Sequence, residues 1–407
     1  MFRRVTLLAG CCLLSAGQVS AQILTEQQAL ARMRAEYPHV QVLRLTVREL
    51  EADVRERTVL TNPIVSYTRE DTGLTADDFL LVSQEFSSWG RRRLLGEAAG
   101  RLVDAAEAGV EADLLAVETN LRLVFTDLLE AQEQVRSLEA GMIQLRALVT
   151  VLRQREEEGE GPRFDRLRVE REEADVETDL AVAQIGRRMA QARLVAFFAP
   201  GIDPEGLSAA GNLGARRALS DTTSLRARAL ERRSDYRALT LHVARWETER
   251  RAADRLRLPA ALLTGGMKRA DSSGAGDIGY AVTAALSVPV FDRGQVQVAR
   301  ADAGRARVEA ERRALAARIA ADVSAAHAAA IRYRDLADRY RAVSVERATE
   351  LVTIVTAAYE EGEYGILELL DARRVTLRAQ LRLLELSAAA RRAAIDLDRA
   401  VGEEMTP

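Results

Sequence analysis

Lysine is almost missing from this 407-residue chain: Lys268 is the only one, and arginine supplies the rest of the 58 basic side chains. A bias spread over the whole length reads as base composition, and a lone lysine reads as structural before it reads as a phosphate clamp. Cysteine is confined to Cys11 and Cys12, so a chain cleaved after them holds no disulfide framework, catalytic thiol or thiolate metal site. Histidine is limited to His39, His242 and His327. None has a second ligand three or four residues away, which leaves them as packing or surface residues. Aromatic residues make up 4% of the chain, and its charge is nearly balanced at a net −3; neither a nucleic-acid surface nor an acidic sink fits. No glycine-rich phosphate loop follows a strand pattern, and no nucleophile motif is present, so the chain is not read as an enzyme and needs no cofactor. Beyond the amino terminus no uncharged apolar run reaches the roughly 18 residues of a spanning helix. Any membrane crossing must therefore be made by strands.

What is present begins with an export signal at 1–21. Arg3 and Arg4 precede the apolar run Val5 to Leu14, and Val19-Ser20-Ala21 offers the small residues of a cleavage site before Gln22. Cleavage there takes the net charge from −3 to −5, because two arginines and no acids leave. Leu8-Ala9-Gly10-Cys11 is the competing signal, a box that would lipidate Cys11. The apolar run ahead of Cys11 is short for that purpose, which favours plain cleavage.

From Leu114 the apolar positions Val117, Leu121, Val124, Leu128, Ala131, Val135, Leu138, Met142, Leu145, Val149 and Leu152 alternate steps of three and four. This is a heptad seam. No proline interrupts the chain from Arg91 to Glu158, so the helix can reach about 100 Å at 1.5 Å per residue. A second proline-free stretch, Gly294 to Tyr359, carries Leu315, Ile319, Ala326, Tyr333, Tyr340 and Ile354 among many alanines. Each long helix ends in a Glu-Glu-Gly-Glu core, with Gly159 and Gly362 at an offset of 203 residues. A return helix follows each, from Leu167 toward Phe197 and from Leu367 toward Val401. The spacing thus predicts two helical hairpins with tips at 157–165 and 360–368. Gly159, Gly161 and Pro162, and then Gly362 and Gly365, are expected to supply the positive φ angles and breaks of the two reversals.

Between the helices the period changes to two. Tyr280, Val282, Ala284, Leu286, Val288 and Val290 place one apolar face against the small or polar Ala281, Thr283, Ala285 and Ser287. Partner strands are expected at 259–268, 62–70 and 78–86, with Gly265-Gly266 and the 271–276 segment between the second pair and Thr72-Gly73 between the first. Gly90 matches Gly294 at an offset of 204. Two landmarks about 70 residues apart agree to within one residue, which reads as a duplication of residues 22–210 in 211–407. Strands fall at about 62–86 and 259–291, and helical hairpins at about 91–199 and 294–402. Four strands cannot close a barrel, for which about eight are needed, and no backbone edge can face lipid. Inserted strands therefore require several copies of the chain.

Asn62-Pro63, QEFSSWG at 84–90, VPVFDRG at 288–294 and YEEGEYGILELLDAR at 359–373 resemble the TolC-type outer-membrane efflux family, and the likeness covers nearly all the mature chain. The resemblance implies a mainly α fold with a membrane β-barrel, a homotrimer that pools twelve strands into a barrel and twelve helices into a periplasmic α-barrel. It implies an outer-membrane location and a passive duct. Its partners would be outer-membrane lipid, a periplasmic adaptor (membrane fusion) protein, and through that an inner-membrane pump of RND or ABC type, with no nucleic acid. Glu368 and Asp371 match the acidic pair lining the closed periplasmic aperture of that family. Gly159, Gly161, Arg163, Phe164 and Asp165, with Gly362, Tyr364, Gly365, Ile366 and Leu367, would be the adaptor-docking tips. Gly161-Pro162-Arg163-Phe164 departs from the small and aliphatic residues usual at the first tip. The Leu369-Leu370-Asp371-Ala372-Arg373 run is closer to the heavy-metal exporting branch. The competing classes are a periplasmic adaptor, expected to show one hairpin between β-rich halves, and a soluble coiled-coil scaffold, which leaves the alternating strands unexplained.

Overall fold

The structure, a computed structural model, describes residues 22–56, 58–73, 75–86, 90–214, 219–272 and 275–404. The expected signal segment 1–21, Cys11 included, lies outside them. Helix makes up 73% of the described residues, so the protein is mainly α. In chain order the elements are β1 (Gln22–Thr25), α1 (Glu26–Glu36), α2 (Pro38–Glu56), β2 (Ile64–Asp71), β3 (Thr75–Phe86), α3 (Arg91–Glu157), α4 (Arg163–Val195) and β4 (Leu207–Ala210). They continue with α5 (Thr222–Arg232), α6 (Ser234–Asp254), β5 (Ala260–Ser272), β6 (Ala275–Ser287), α7 (Gln295–Tyr340), α8 (Glu346–Glu360) and α9 (Ile366–Val401). The second series runs in the same order as the first, with α7 and α8 standing where the first has the single helix α3. Thr25 caps α1 and Asp221 caps α5, each side chain accepting from backbone N–H groups of the first turn. Gly90 and Gly294, both with positive φ, stand just before α3 and α7, and their carbonyls accept the first helical bonds, from Leu94 and Val298.

The chain divides into two compact units, each drawing on both series. One unit contains residues 22–37, 121–214 and 338–388. Its core is a seam between α3, α4, α8 and the first turns of α9: Val135, Leu138, Met142, Leu145, Val149 and Leu152 meet Val169, Val176, Val355, Ile366, Leu369 and Leu370. The buried positions recur every seven residues, at Val169, Val176, Ala183 and Ala190 in α4 and at Leu121, Leu128, Val135, Met142 and Val149 in α3. A seven-residue spacing keeps one stripe facing its neighbours along an underwound helix. The same unit holds a parallel pair that the sequence does not announce, β1 with β4. Gln132 and Gln191 clamp β4, with Gln132 Oε1 accepting from Ala209 N at 2.8 Å and Gln191 Nε2 donating to Leu207 O at 2.8 Å.

The long helix expected from Gly294 to Tyr359 is interrupted. A π-helical turn, Arg341–Val345, separates α7 from α8. Buried residues explain it: Val323, Ala330 and Ala337 are spaced by seven, Ala337 to Ala348 by eleven, and Ala348 to Val355 by seven again. Four extra residues in a heptad register must be absorbed by local unwinding, and the wider π turn does this. The 295–360 stretch is also long and apolar enough by composition to cross a membrane, although it contains no fully uncharged run of that length. Alanine rather than large side chains makes it so.

The other unit contains residues 38–120, 215–337 and 389–404 of the described chain. It holds the four-stranded antiparallel sheet in the order β2-β3-β5-β6. Two boundaries differ from expectation. The last strand stops at Ser287, because Pro289 has no N–H to give a ladder. Gly265 and Gly266 lie inside β5 and not between strands. A Cβ on Gly266 would stand 2.0 Å from the Leu80 carbonyl oxygen, so only glycine allows this approach of β5 to β3.

Candidate functional site

The sheet register sorts its side chains into two unlike faces. On one, Val65, Val82, Gly265 and Val282 stand in a row, flanked by Tyr67, Leu80, Met267 and Tyr280 on one side and Leu263 with Ala284 on the other. Phe86 and Leu286 extend that face toward the helices. Nothing among the described residues covers it: Tyr280 is 86% and Val282 75% exposed. On the opposite face Ser83 Oγ and Thr264 Oγ1 are hydrogen-bonded at 2.9 Å, in register with Thr283. Lys268 lies on that face too, paired with Asp77 at 2.7 Å and over the Phe79 ring; it is a structural residue. The alternation expected for Tyr280 to Leu286 is thus present in β6, while Ile64, Phe79, Leu81 and Leu262 add apolar side chains to the Ser83–Thr264 face of the other strands. At the far end the apolar face is closed by Arg69 and Asp78, 3.6 Å apart, and Tyr67 donates to Asp78 Oδ1 at 2.7 Å. Among the described residues β2 and β6 are each paired on one side only.

The two tips share one backbone design. Gly159 N–H reaches Glu156 O and Gly362 N–H reaches Tyr359 O, both at 3.1 Å. Glu160 N–H then reaches Arg155 O at 2.8 Å and Glu363 N–H reaches Ala358 O at 2.9 Å. These paired closing bonds need a left-handed residue, which Gly159 and Gly362 provide at φ +80°. Gly161 and Gly365 are not left-handed, contrary to expectation. Gly161 instead packs on Arg155, where a Cβ would lie 3.2 Å from Arg155 Cβ, and Gly365 faces the Glu368 carboxylate.

Side chains at the tips divide cleanly. Phe164, Tyr364 and Leu367 are exposed, and Arg168 stacks on the Phe164 ring at 4.5 Å. Arg163 is exposed and Asp165 half-buried in the first turn of α4. Ile366, expected as a contact surface, is buried in the seam with Leu369 and cannot serve as one. Arg166 is held by Glu156 at 2.6 Å and Glu170 at 2.7 Å; its hydrogen bond holds the Glu170 carboxyl below the usual carboxylate range. Arg374 turns to Glu172 of α4, its Nε donating to Glu172 Oε1 at 3.0 Å. Glu368 and Asp371, three residues apart at the start of α9, are both exposed. No salt bridge joins either to an arginine among the described residues, although Asp371 stands close enough to raise the Arg374 pKa, behind the larger effect of Glu172. Arg373 is half-buried, touching Gln144 at 3.3 Å, and burial pushes its pKa down.

Residues 225–403 match the family profile described as outer membrane efflux protein. The match spans somewhat under half of the chain. The matched segment begins inside α5 and runs through α9, taking in the β5–β6 pair, the second tip and both Glu368 and Asp371. No curated protein matches the sequence at a significant level. Solved structures extend the likeness of fold to both series. A membrane protein from Pseudomonas aeruginosa is 18% identical with a TM-score of 0.73 over 93% of each chain. The outer membrane protein VceC of Vibrio cholerae is 17% identical, with a TM-score of 0.71 over 93% of this chain and 96% of its own. The open state of the MtrE outer membrane channel of Neisseria gonorrhoeae is 18% identical, with a TM-score of 0.72 over 93% of this chain and 89% of its own. The chain therefore shares the fold of these solved structures over nearly its whole described length.

Proposed function

We propose that the protein is the outer-membrane channel of a tripartite efflux system, a passive exit duct fed by an inner-membrane pump through a periplasmic adaptor. The observation that carries this reading is the sheet, with an exposed apolar face and two half-paired edge strands. A sheet edge in lipid leaves backbone groups unsatisfied at several kcal/mol each, so β6 of one copy must pair with β2 of the next. Three copies give twelve strands, enough to enclose a lumen, with the polar Ser83, Thr264 and Thr283 face inward. Helical hairpins from three copies then continue the duct into the periplasm, and residues 22–210 and 211–407 are its two duplicated halves.

At the tips, Phe164, Tyr364 and Leu367 form the apolar docking points for the adaptor beside the bare backbone of Gly362 and Gly365. Threefold symmetry would gather Glu368 and Asp371 into a ring of six carboxylates at the aperture. With Arg166 and Arg374 engaged inside their own protomer, Arg163 and Arg373 are the arginines left to bridge neighbours. Neither an adaptor nor a soluble scaffold accounts for a solvent-exposed apolar sheet face. Membrane fractionation and imaging of detergent-solubilised particles test the whole reading. A threefold tube with a short barrel and a long helical cylinder is expected. Protein recovered soluble from the periplasm without detergent would overturn it.

A further inference from the structure

Where the strands give way to helices, the start of α3, the end of α6 and the start of α7 enclose a cavity of about 360 Å³. Its polar lining is Arg91, Arg245, Trp246, Glu249, Gln297 and Arg300, over a floor of alanine and leucine side chains. We propose that this cavity binds the phosphate of an anionic phospholipid in the periplasmic leaflet of the outer membrane, which rests on the membrane reading of the sheet. Four observations converge on it.

The first is an unmet donor: Arg91 Nε is buried and has no hydrogen-bond partner. The second is local charge. Segments 91–97, 245–257 and 292–305 carry eleven arginines against six acids, in a chain whose net charge is −3. Those acids are already engaged, Glu97 by Arg93, Glu247 by Arg305, Glu249 by Arg245, and both Asp254 and Asp302 by Arg250. Asp292 accepts from Gly294 N–H. No carboxylate among the described residues pairs with Arg91 or Arg300, so their charge is free for an outside anion. Guanidinium forks match phosphate oxygens bidentately.

The third is a fixed aromatic wall. Trp246 lies against Gly304, where a Cβ would come within 2.6 Å of the indole, and Arg245 stacks on it at 4.6 Å. Indoles of this kind favour the headgroup level of a bilayer. The fourth is position. α6 leads into β5 and β6 leads into α7, so the cavity lies at the helix end of the sheet, where Phe86 ends the apolar face and the 92%-exposed Phe291 stands in the β6–α7 link. A headgroup in the cavity leaves its acyl chains along that face. Basic pockets at membrane rims bind acidic headgroups by this combination of charge and depth.

The test uses the full-length protein extracted from outer membranes in mild detergent and stripped of lipid. Mixed micelles of phosphatidylglycerol or phosphatidylcholine are then added, and retained lipid is counted by native mass spectrometry. Retention of phosphatidylglycerol over phosphatidylcholine by about tenfold is expected, falling about tenfold in Arg91→Gln/Arg300→Gln. Arg300→Lys keeps the charge without the fork and should fall between the two. Arg318→Gln/Arg392→Gln, in a different groove of the same unit, should retain lipid as the wild type does. Equal retention by wild type and the Arg91/Arg300 variant overturns the proposal, and so does displacement by inorganic phosphate, which would mark a site for the free ion. Both failures leave the protein in the outer-membrane fraction. Its absence from that fraction would instead overturn the channel reading and the lipid site with it.

Discussion

Arginine placed at Val282 should prevent insertion, while arginine one residue later should not. Five side-chain rows cross the apolar face, led on β6 by Ile278, Tyr280, Val282, Ala284 and Leu286, and Val282 occupies the middle one. It stands 75% exposed opposite Gly265, so no side chain on β5 can shelter a guanidinium. Near the midplane an outward arginine costs about 2–4 kcal/mol per strand. A trimer carries the change three times, for about 6–12 kcal/mol per barrel, and even the lower bound per protomer corresponds to about thirtyfold. Thr283 has Thr264 opposite it on the other face, and arginine there would enter the aqueous lumen. Both variants change the same strand by the same charge, so propensity and translation effects cancel in the comparison. The assay is the amount of trimer resisting mild denaturation in outer-membrane extracts, measured beside total protein. Val282→Arg should lose nearly all trimer, with Thr283→Arg close to wild type. Equal loss at both positions would show that the faces are wrongly assigned, and full assembly of Val282→Arg would show that this face does not meet lipid.

Further expectations concern the helices. Glu368→Gln with Asp371→Asn should lower cation selectivity and divalent block in planar-bilayer recordings at constant salt, since a carboxylate ring draws cations; unchanged recordings would make the pair ordinary helix-surface charges. Gly365→Trp should abolish efflux while trimer yield stays near wild type, because the nearest atom to its new side chain is the flexible Glu368 carboxylate. Gly362→Ala, at φ +80°, should instead lower stability by about 1–2 kcal/mol in urea titrations. Burial, with Arg245 and Arg307 against a smaller effect of Glu311, holds the His242 imidazole below its ordinary 6.5. The unfolded chain therefore takes the proton first, so stability present above that pH should decline as pH falls through it, and His242→Gln should flatten the decline.

Long-range regularity was legible in the sequence and local phase was not. The heptad seam from Leu121 to Leu152, the duplicated tips and the alternating face of β6 each rest on many residues repeating one period, so the pattern outweighs any single exception. The β1–β4 pair spans four residues on each side, too few for alternation to register. The π turn occurs in Arg-Ala-Val-Ser-Val, with no glycine or proline to mark it, and only the eleven-residue step between Ala337 and Ala348 betrays it. Ile366 and Leu367 were both expected at the surface, but a helix start sets which of two neighbours faces inward, and Ile366 is the one buried. Gly265-Gly266 looked like a reversal because glycine pairs usually are one; here the missing side chain admits another strand's carbonyl. The arginines around Trp246 come from three separated segments, and their shared cavity exists only once α3, α6 and α7 pack.

Lys268 gives the described chain a single side-chain amine, 36% exposed beside Asp77. Lysine-directed reagents therefore address one strand residue per protomer and leave the helices untouched. In the proposed barrel, an acylating probe too bulky to enter would label Lys268 in the unfolded chain but not in the assembled one, while a small one would enter and mark the inner wall. The scarcity of one amino acid thus turns an ordinary surface-labelling reaction into a gauge of bore.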